Sequence, residues 1–171
     1  QQYVFIVDRG REIGNTYSTH NRVVKFNHDG KYVDEFPRGA DADLSIPIFN
    51  DVLADDSFIY AVGYGVKSSS IVKYDLQGNL VKNYTTALGN GAGILNYPNG
   101  LTIDKDKDIF VANTSNSTIE MFSSNLDYSN TFGSFGTGNE QFNRPFRLSA
   151  STNGKIYIAD YINKRIQIYS K

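Results

Sequence analysis

The chain has 171 residues, no cysteine and a formal net charge of −1. That balance lacks the basic excess that carries most nucleic-acid affinity, and the missing cysteines exclude a disulfide framework and a thiolate zinc site. No apolar run approaches the ~20 residues of a membrane span, no signal-like segment is present, and Gln1 at the first position points to a processed chain or to part of a longer one.

Four strand-like units follow one another. Unit one, residues 3–36, opens with the alternating segment Tyr3-Val-Phe-Ile-Val-Asp8. A 13-residue loop leads to Arg22-Val-Val-Lys-Phe26, and the tight turn His28-Asp-Gly30 leads to a closing strand. Unit two, residues 47–84, reads as four strands: Asn50–Ala54, Phe58–Gly63, Ser70–Asp75 and Asn79–Tyr84. Unit three, residues 98–132, repeats them as Gly100–Asp104, Asp108–Asn113, Thr118–Ser123 and Asp127–Phe132. Unit four, residues 145–170, carries three, with Lys155-Ile-Tyr-Ile-Ala-Asp160 and Arg165-Ile-Gln-Ile-Tyr169 as its second and third. Apolar residues recur at period two or in runs, which predicts strands and no helix.

Labelling the strands of a unit a to d, strand c begins at Arg22, Ser70, Thr118 and Arg165, spacings of 48, 48 and 47 residues. Self-similarity at this period, built wholly from strands, is the signature of a radial β repeat. The expected fold is all-β: a propeller of four-stranded antiparallel blades, with about three and a half blades in residues 1–171. Gly30 and Gly78, 48 apart, are placed to supply the positive φ of equivalent hairpin turns. Gly-rich crossings join the units and end at Pro47, Pro98 and Pro145, where a strand can begin without its N–H.

The run Phe132-Gly-Ser-Phe-Gly-Thr-Gly-Asn-Glu-Gln-Phe-Asn-Arg-Pro145, followed by Ile156-Tyr-Ile-Ala-Asp160 and Asn163-Lys-Arg-Ile-Gln-Ile-Tyr169, resembles the NHL-repeat family, as does His20-Asn-Arg-Val-Val-Lys-Phe26. The resemblance extends along essentially the whole chain. It implies a propeller, usually of six blades, that often works as a binding platform. The chain has no tryptophan, against the Trp-Asp ending of WD40 blades.

Where strand b ends in Asp8 or Asp160, strand c begins with Arg22 or Arg165; where it ends in Gly63 or Asn113, strand c begins with Ser70 or Thr118. Antiparallel pairing sets these positions face to face, so Asp and Arg are expected to form a structural clasp at the blade corner.

Unit one lacks strand a and unit four lacks strand d. Fourteen strands therefore form an open arc with two apolar end faces, and exposing such faces forfeits about 25 cal/mol per Å². Two copies do not close cleanly, because joining the ends duplicates strands b and c. The missing blades are expected from the same parent chain or from neighbouring subunits.

No catalytic constellation, metal site or cofactor is expected. His20 and His28 lie apart and beside turns, without convergent partners. Asp104-Lys-Asp-Lys-Asp108 reads as a solvated turn rather than a calcium loop, and Gly89-Asn-Gly-Ala-Gly93 lacks the following Lys and helix of a phosphate loop. The candidate binding face carries the b–c loops and the crossings, with Arg9, Arg11, Tyr17, Tyr64, Lys67, Phe135, Arg147, Tyr161 and Asn163. Aromatic and Arg residues on supported loops suit a protein or glycan partner. Glycosylation sequons stand at Asn83, Asn113 and Asn116, consistent with an extracellular or cell-surface setting. The expectation is a non-enzymatic binding or structural scaffold. The alternatives are a fragment of a propeller lyase or hydrolase with metal ligands in other blades, and an RNA-binding propeller, which the charge disfavours.

Overall fold

The computed structural model describes residues 3–9, 12–13, 16–17, 21–37 and 48–171. Arg11, His20, Pro47 and most of the first crossing lie outside the described residues.

Four antiparallel sheets follow in chain order, each a meander whose neighbours in sequence are neighbours in space. Blade 1 comprises β1 (Tyr3–Asp8), β4 (Arg22–Asn27) and β5 (Tyr32–Phe36); its b–c loop holds a small hairpin, β2 (Glu12–Ile13) and β3 (Thr16–Tyr17). Blade 2 is β6 (Ile48–Ala54), β7 (Phe58–Tyr64), β8 (Ser68–Asp75) and β9 (Leu80–Ala87). Blade 3 is β10 (Gly100–Ile103), β11 (Ile109–Asn113), β12 (Thr118–Phe122) and β13 (Tyr128–Phe132). The short parallel pair β14 (Ser134–Phe135) and β15 (Gln141–Phe142) lies in the crossing to blade 4, which is β16 (Pro145–Ala150), β17 (Lys155–Asp160) and β18 (Arg165–Ser170). No helix occurs among the described residues.

Each blade has two apolar faces because strand side chains alternate. Phe5 and Val7 of β1 point toward blade 2, where they meet Phe49, Ile59, Ala61, Val72 and Tyr74. Tyr60, Val62 and Ile71 point on toward Leu101, Ile109, Val111 and Phe122 of blade 3. Phe110, Ala112 and Ile119 in turn cover Ile156 and Ile158 of blade 4. The next residues in this series are Tyr157, Ala159, Ile166 and Ile168 on blade 4. Ile71 and Ile119 are 0% exposed, whereas Ile166 and Ile168 are 68% and 56% exposed. At the other end Val4 and Ile6 occupy the positions of buried Ile59 and Ala61 and are themselves exposed.

The blade interfaces contain a polar tether. Lys25 Nζ lies 3.8 Å from the Tyr3 ring centroid and donates to the Leu76 carbonyl of blade 2 at 2.8 Å. Lys73, 48 residues on, lies 3.6 Å from the Phe58 centroid and donates to the Ser124 carbonyl of blade 3 at 2.8 Å. Burial lowers the Lys73 pKa. The ring face and the carbonyl replace the water lost by each ammonium. A register shift recurs beside these residues, at Lys25/Phe26, Lys73/Tyr74 and Met121/Phe122. The extra residue of a bulge adds twist to the outer strand.

The equivalent c–d turns place Gly30 at φ 73° and Gly78 at φ 81°. Blade 3 puts Leu126 there at φ 59°; its side chain is buried in the core between blades 2 and 3, and that packing holds a conformation costly for a side-chain-bearing residue.

Candidate functional site

Strands β6, β10 and β16 pack side by side as the inner strands of their blades. Their first residues, the ends of the b strands, the b–c loops and the crossings all lie at one end. The seam is held by side chain to backbone bonds. Leu101 N–H donates to Asp51 Oδ2 at 3.1 Å and Ala150 N–H to Thr102 Oγ1 at 3.0 Å.

Arg147 sits on β16, in the register shift between Pro145 and Leu148. The sequence groups it with the loop and crossing residues, but it works as a cross-blade tie. Its Nη1 lies 3.2 Å from Asp51 Oδ2 and donates to the Asn99 carbonyl, while Nη2 donates to the Asn50 carbonyl at 3.2 Å. One side chain thus joins blades 4, 3 and 2. Gly100 permits the crossing: a Cβ there would lie 2.6 Å from the Phe146 carbonyl oxygen and 3.1 Å from Arg147 Cα. Burial raises the Asp51 pKa, opposed by Arg147 and by the N–H groups of Leu101 and Val52.

Aromatic residues surround this seam. Tyr64 and Tyr97 meet edge to face, with centroids 4.6 Å apart. Phe146 lies 5.8 Å from Tyr161 and 5.5 Å from the Arg147 guanidinium carbon. Tyr161 holds the repeat position of Tyr64 and lines an open cleft of about 350 Å³ with Asp160, Lys164, Arg165 and Ile166. At the earlier blade junctions this corner receives the next inner strand: Phe49 N–H donates to Asn21 Oδ1 at 2.8 Å, Tyr97 N–H to Ser69 Oγ at 3.3 Å, and Thr114 Oγ1 to the Pro145 carbonyl at 2.7 Å.

The remaining predicted face residues separate. Arg9 and Lys67 are exposed, Phe135 is 72% exposed on the crossing, and Tyr17 pairs with Glu12 in the small hairpin. Arg11 lies outside the described residues. Asn163 is committed to structure, donating to Gly136 O and to Asp160 Oδ2, both at 2.9 Å.

At the blade corners, Asp8 and Arg22 are register partners with Nε to Oδ2 at 3.1 Å, and Asp160 and Arg165 with the same pair at 2.8 Å. Arg165 also donates to the carbonyls of Thr137, Gly138 and Gln141, fastening the crossing to its blade. Burial acts to raise the Asp160 pKa. The hydrogen bonds from Asn143 N–H, Asn163, Arg165 and Gln167 outweigh it and hold the carboxyl below its ordinary value. Blade 3 makes the same corner without an arginine. Asn96 N–H donates to Asn113 Oδ1 at 2.7 Å, as Asn143 N–H does to Asp160 Oδ1 at 2.7 Å. The carboxylate has moved to Glu120, which is 0% exposed and accepts from Gly93 N–H, Asn113, Thr118 and Thr131.

Two expectations need correction. Asn113 is fully buried and donates from Nδ2 to Ile94 O and Glu120 Oε1, so the folded blade has no room for a glycan on it. Asn116 is half-buried and donates to the carbonyls of Gly89 and Ile94, whereas Asn83 stands exposed on β9. The Asp104–Asp108 turn is not simply solvated either. Asp104 is buried, its Oδ1 accepts the N–H groups of Asp106 and Asp108 at 2.9 Å, and Lys171 Nζ reaches Asp104 Oδ2 at 3.1 Å.

Among the described residues no group of three or more His, Cys, Asp or Glu side chains is arranged to hold a metal ion, and no helix is long and apolar enough to cross a membrane.

A model of the NHL repeat matches residues 95–122. The chain is 24% identical over 179 aligned residues to NHL repeat-containing protein 3 of Mus musculus, covering 98% of this chain and 48% of that protein. It therefore spans about half the length of this curated relative. Among solved structures, a protein of unknown function from Bacteroides thetaiotaomicron superposes with TM-score 0.66 at 14% identity, over 99% of this chain and 44% of the other. Virginiamycin B lyase from Staphylococcus aureus superposes with TM-score 0.53 at 16% identity, over 91% and 50%. At these identities the likeness is one of fold. The chain is a run of propeller blades that carries an NHL repeat and resembles an NHL repeat-containing protein along nearly its whole length.

Proposed function

We propose that the chain is a non-enzymatic binding or scaffold module, in which rigid blades present the b–c loop and crossing face to a protein or glycan in an extracellular or cell-surface setting. The observation that carries this reading is the division of labour on that face. Charged groups that could do chemistry, Arg147 with Asp51 and Arg165 with Asp160, are spent on holding blades and crossings. Aromatic and apolar side chains stand open to solvent there, Val66, Tyr97, Phe135, Phe146, Tyr161 and Ile162, beside the exposed cations Arg9, Lys67 and Lys164. Such a surface buries apolar area on contact, as a partner-binding face requires.

The apolar end faces belong to the same reading. Residues exposed on blades 1 and 4 are buried at every interior junction, so further blades, from the parent polypeptide or a neighbouring subunit, cover them in the working molecule.

The test is metal analysis of the purified protein together with an activity screen on lactone and ester substrates. The account expects no stoichiometric metal and no turnover. Zinc, calcium or magnesium bound one to one with hydrolytic or lyase activity would replace it with the enzyme reading.

A further inference from the structure

We infer that the inner mouth formed by the first residues of β6, β10 and β16 binds a neutral carbohydrate. The inference rests on the binding-module reading and names its ligand class. Five N–H bonds radiate from a guanidinium. The Asn99 and Asn50 carbonyls take two of those on Arg147, and Asp51 Oδ2 forms an ion pair with Nη1 at 3.2 Å. The Nε–H and one Nη2–H have no partner among the described residues, and the side chain is 49% exposed. Beside it, Asn50 is buried, with Nδ2 donating to Pro98 O at 2.6 Å. Asn50 Oδ1 has no hydrogen-bond partner among the described residues. The side chain with unused donors therefore bonds the main chain of the residue that carries the unused buried acceptor. A hydroxyl group, which donates and accepts at once, fits that pairing; a carboxylate or phosphate cannot donate to Asn50.

Charge points the same way. Asp51 at 3.2 Å already neutralises Arg147, and its carboxylate, partly withdrawn from water, opposes a second anion. The mouth is thus built for hydroxyls rather than for acidic groups.

The rings supply the apolar half of the contact. Phe146 lies beside the guanidinium, and its ring is partly open to solvent. Tyr97 has φ 50°, its N–H bonded to Ser69 Oγ and its ring braced by Tyr64. Arg144 has φ 58° at the equivalent position 47 residues on, so the conformation belongs to the crossing; the ring presented there is particular to blade 3. A pyranose offers C–H groups on its faces and hydroxyls on its rim. It can stack on a ring while its rim reaches Arg147 and Asn50.

The experiment is isothermal titration of the protein with maltohexaose, cellohexaose and mannohexaose, and with hexagalacturonate as the acidic counterpart. At least one neutral hexasaccharide is expected to bind, and tighter than hexagalacturonate. Phe146→Ala is expected to weaken it roughly tenfold, one ring contact being worth about a factor of ten. Tyr97→Ala serves as an independent second variant, and a thermal melt of each confirms folding. Absence of binding by all three neutral probes, preference for hexagalacturonate, or an unchanged Kd in both folded variants overturns the inference. Mass spectrometry of the recovered sugar separates the two readings. Intact sugar without binding removes the ligand class alone, whereas cleaved sugar overturns the non-enzymatic reading.

Discussion

Replacing Glu120 by Gln probes the arginine-free corner of blade 3. Glu120 accepts from Gly93 N–H at 3.0 Å and from Thr131 through Oε2, and from Asn113 Nδ2 at 2.9 Å and Thr118 Oγ1 at 2.8 Å through Oε1. A glutamine keeps the shape but offers one oxygen and one amide group. If its oxygen faces Asn113 and Thr118, its NH2 opposes the Gly93 N–H. The Thr131 hydroxyl can rotate to accept; the backbone N–H cannot. In the opposite orientation the NH2 meets Asn113 Nδ2, and Asn113 cannot flip because its Oδ1 holds Asn96 N–H. Either way a buried donor is orphaned at about 1–3 kcal/mol and bonds to a charged acceptor become bonds to a neutral one. Removing a desolvated charge gives some of this back, leaving a net loss of about 2–3 kcal/mol. For a chain of this length that lowers Tm by roughly 4–12 °C. Urea unfolding followed by circular dichroism reads it directly. An E120Q midpoint equal to the parent's, with unchanged slope, would refute the four-donor arrangement.

Three further outcomes follow from the same geometry. Gly100→Ala places a methyl against backbone at 2.6 Å, so it should cost about 1–3 kcal/mol by overpacking; a neutral result in thermal melts would mean that β10 and β16 do not lie this close. Lys73→Met should cost no more than about 1 kcal/mol, since Met121 fills the equivalent site in blade 3 and Ser124 O keeps Tyr60 Oη at 3.3 Å. Lys73→Ala, which also opens a cavity, should cost about 2–3 kcal/mol; equal losses for the two in urea titrations would show that the ammonium, not the stem, dominates. The Asp160 pKa is lower in the folded state than in the unfolded chain, so its contribution is full above the ordinary carboxyl value of about 4 and fades as pH falls through the folded value. Asp160→Asn should flatten that part of the stability profile, and a variant with the parent's acid dependence would contradict the assignment.

The repeat made the blades legible. Each blade is a local meander, so period-two patterning and turn residues specify it without long-range information, and a spacing of 48 aligned Gly30 with Gly78. Leu126 at the third such turn gave no local signal, because the burial that tolerates its φ comes from blade 2. The Asp–Arg correlation was visible because the two positions are register partners one loop apart. Its substitute in blade 3 was not, since Glu120 lies inside a strand and collects donors from that strand, from β11, from β13 and from the crossing. Lys25 and Lys73 carry a signal of their own: lysines 48 apart, each inside a short apolar run, Val-Val-Lys-Phe and Ile-Val-Lys-Tyr. Arg147 reads from the sequence as part of the loop and crossing face. Its reach to Asp51, 96 residues earlier, depends on the packing of three inner strands and on the missing side chain of Gly100, which no local pattern encodes.

The central claim is that Ile166 and Ile168 lie on a blade-to-blade interface. Light scattering over a range of concentrations, on the chain and on its Ile166→Lys/Ile168→Lys variant, tests it most directly. The account predicts that the parent associates through this face and that the variant stays dispersed with a melting midpoint within that of an ordinary surface change, about 0.5 kcal/mol. A parent that remains monomeric, with a variant that melts as core substitutions do, would contradict it.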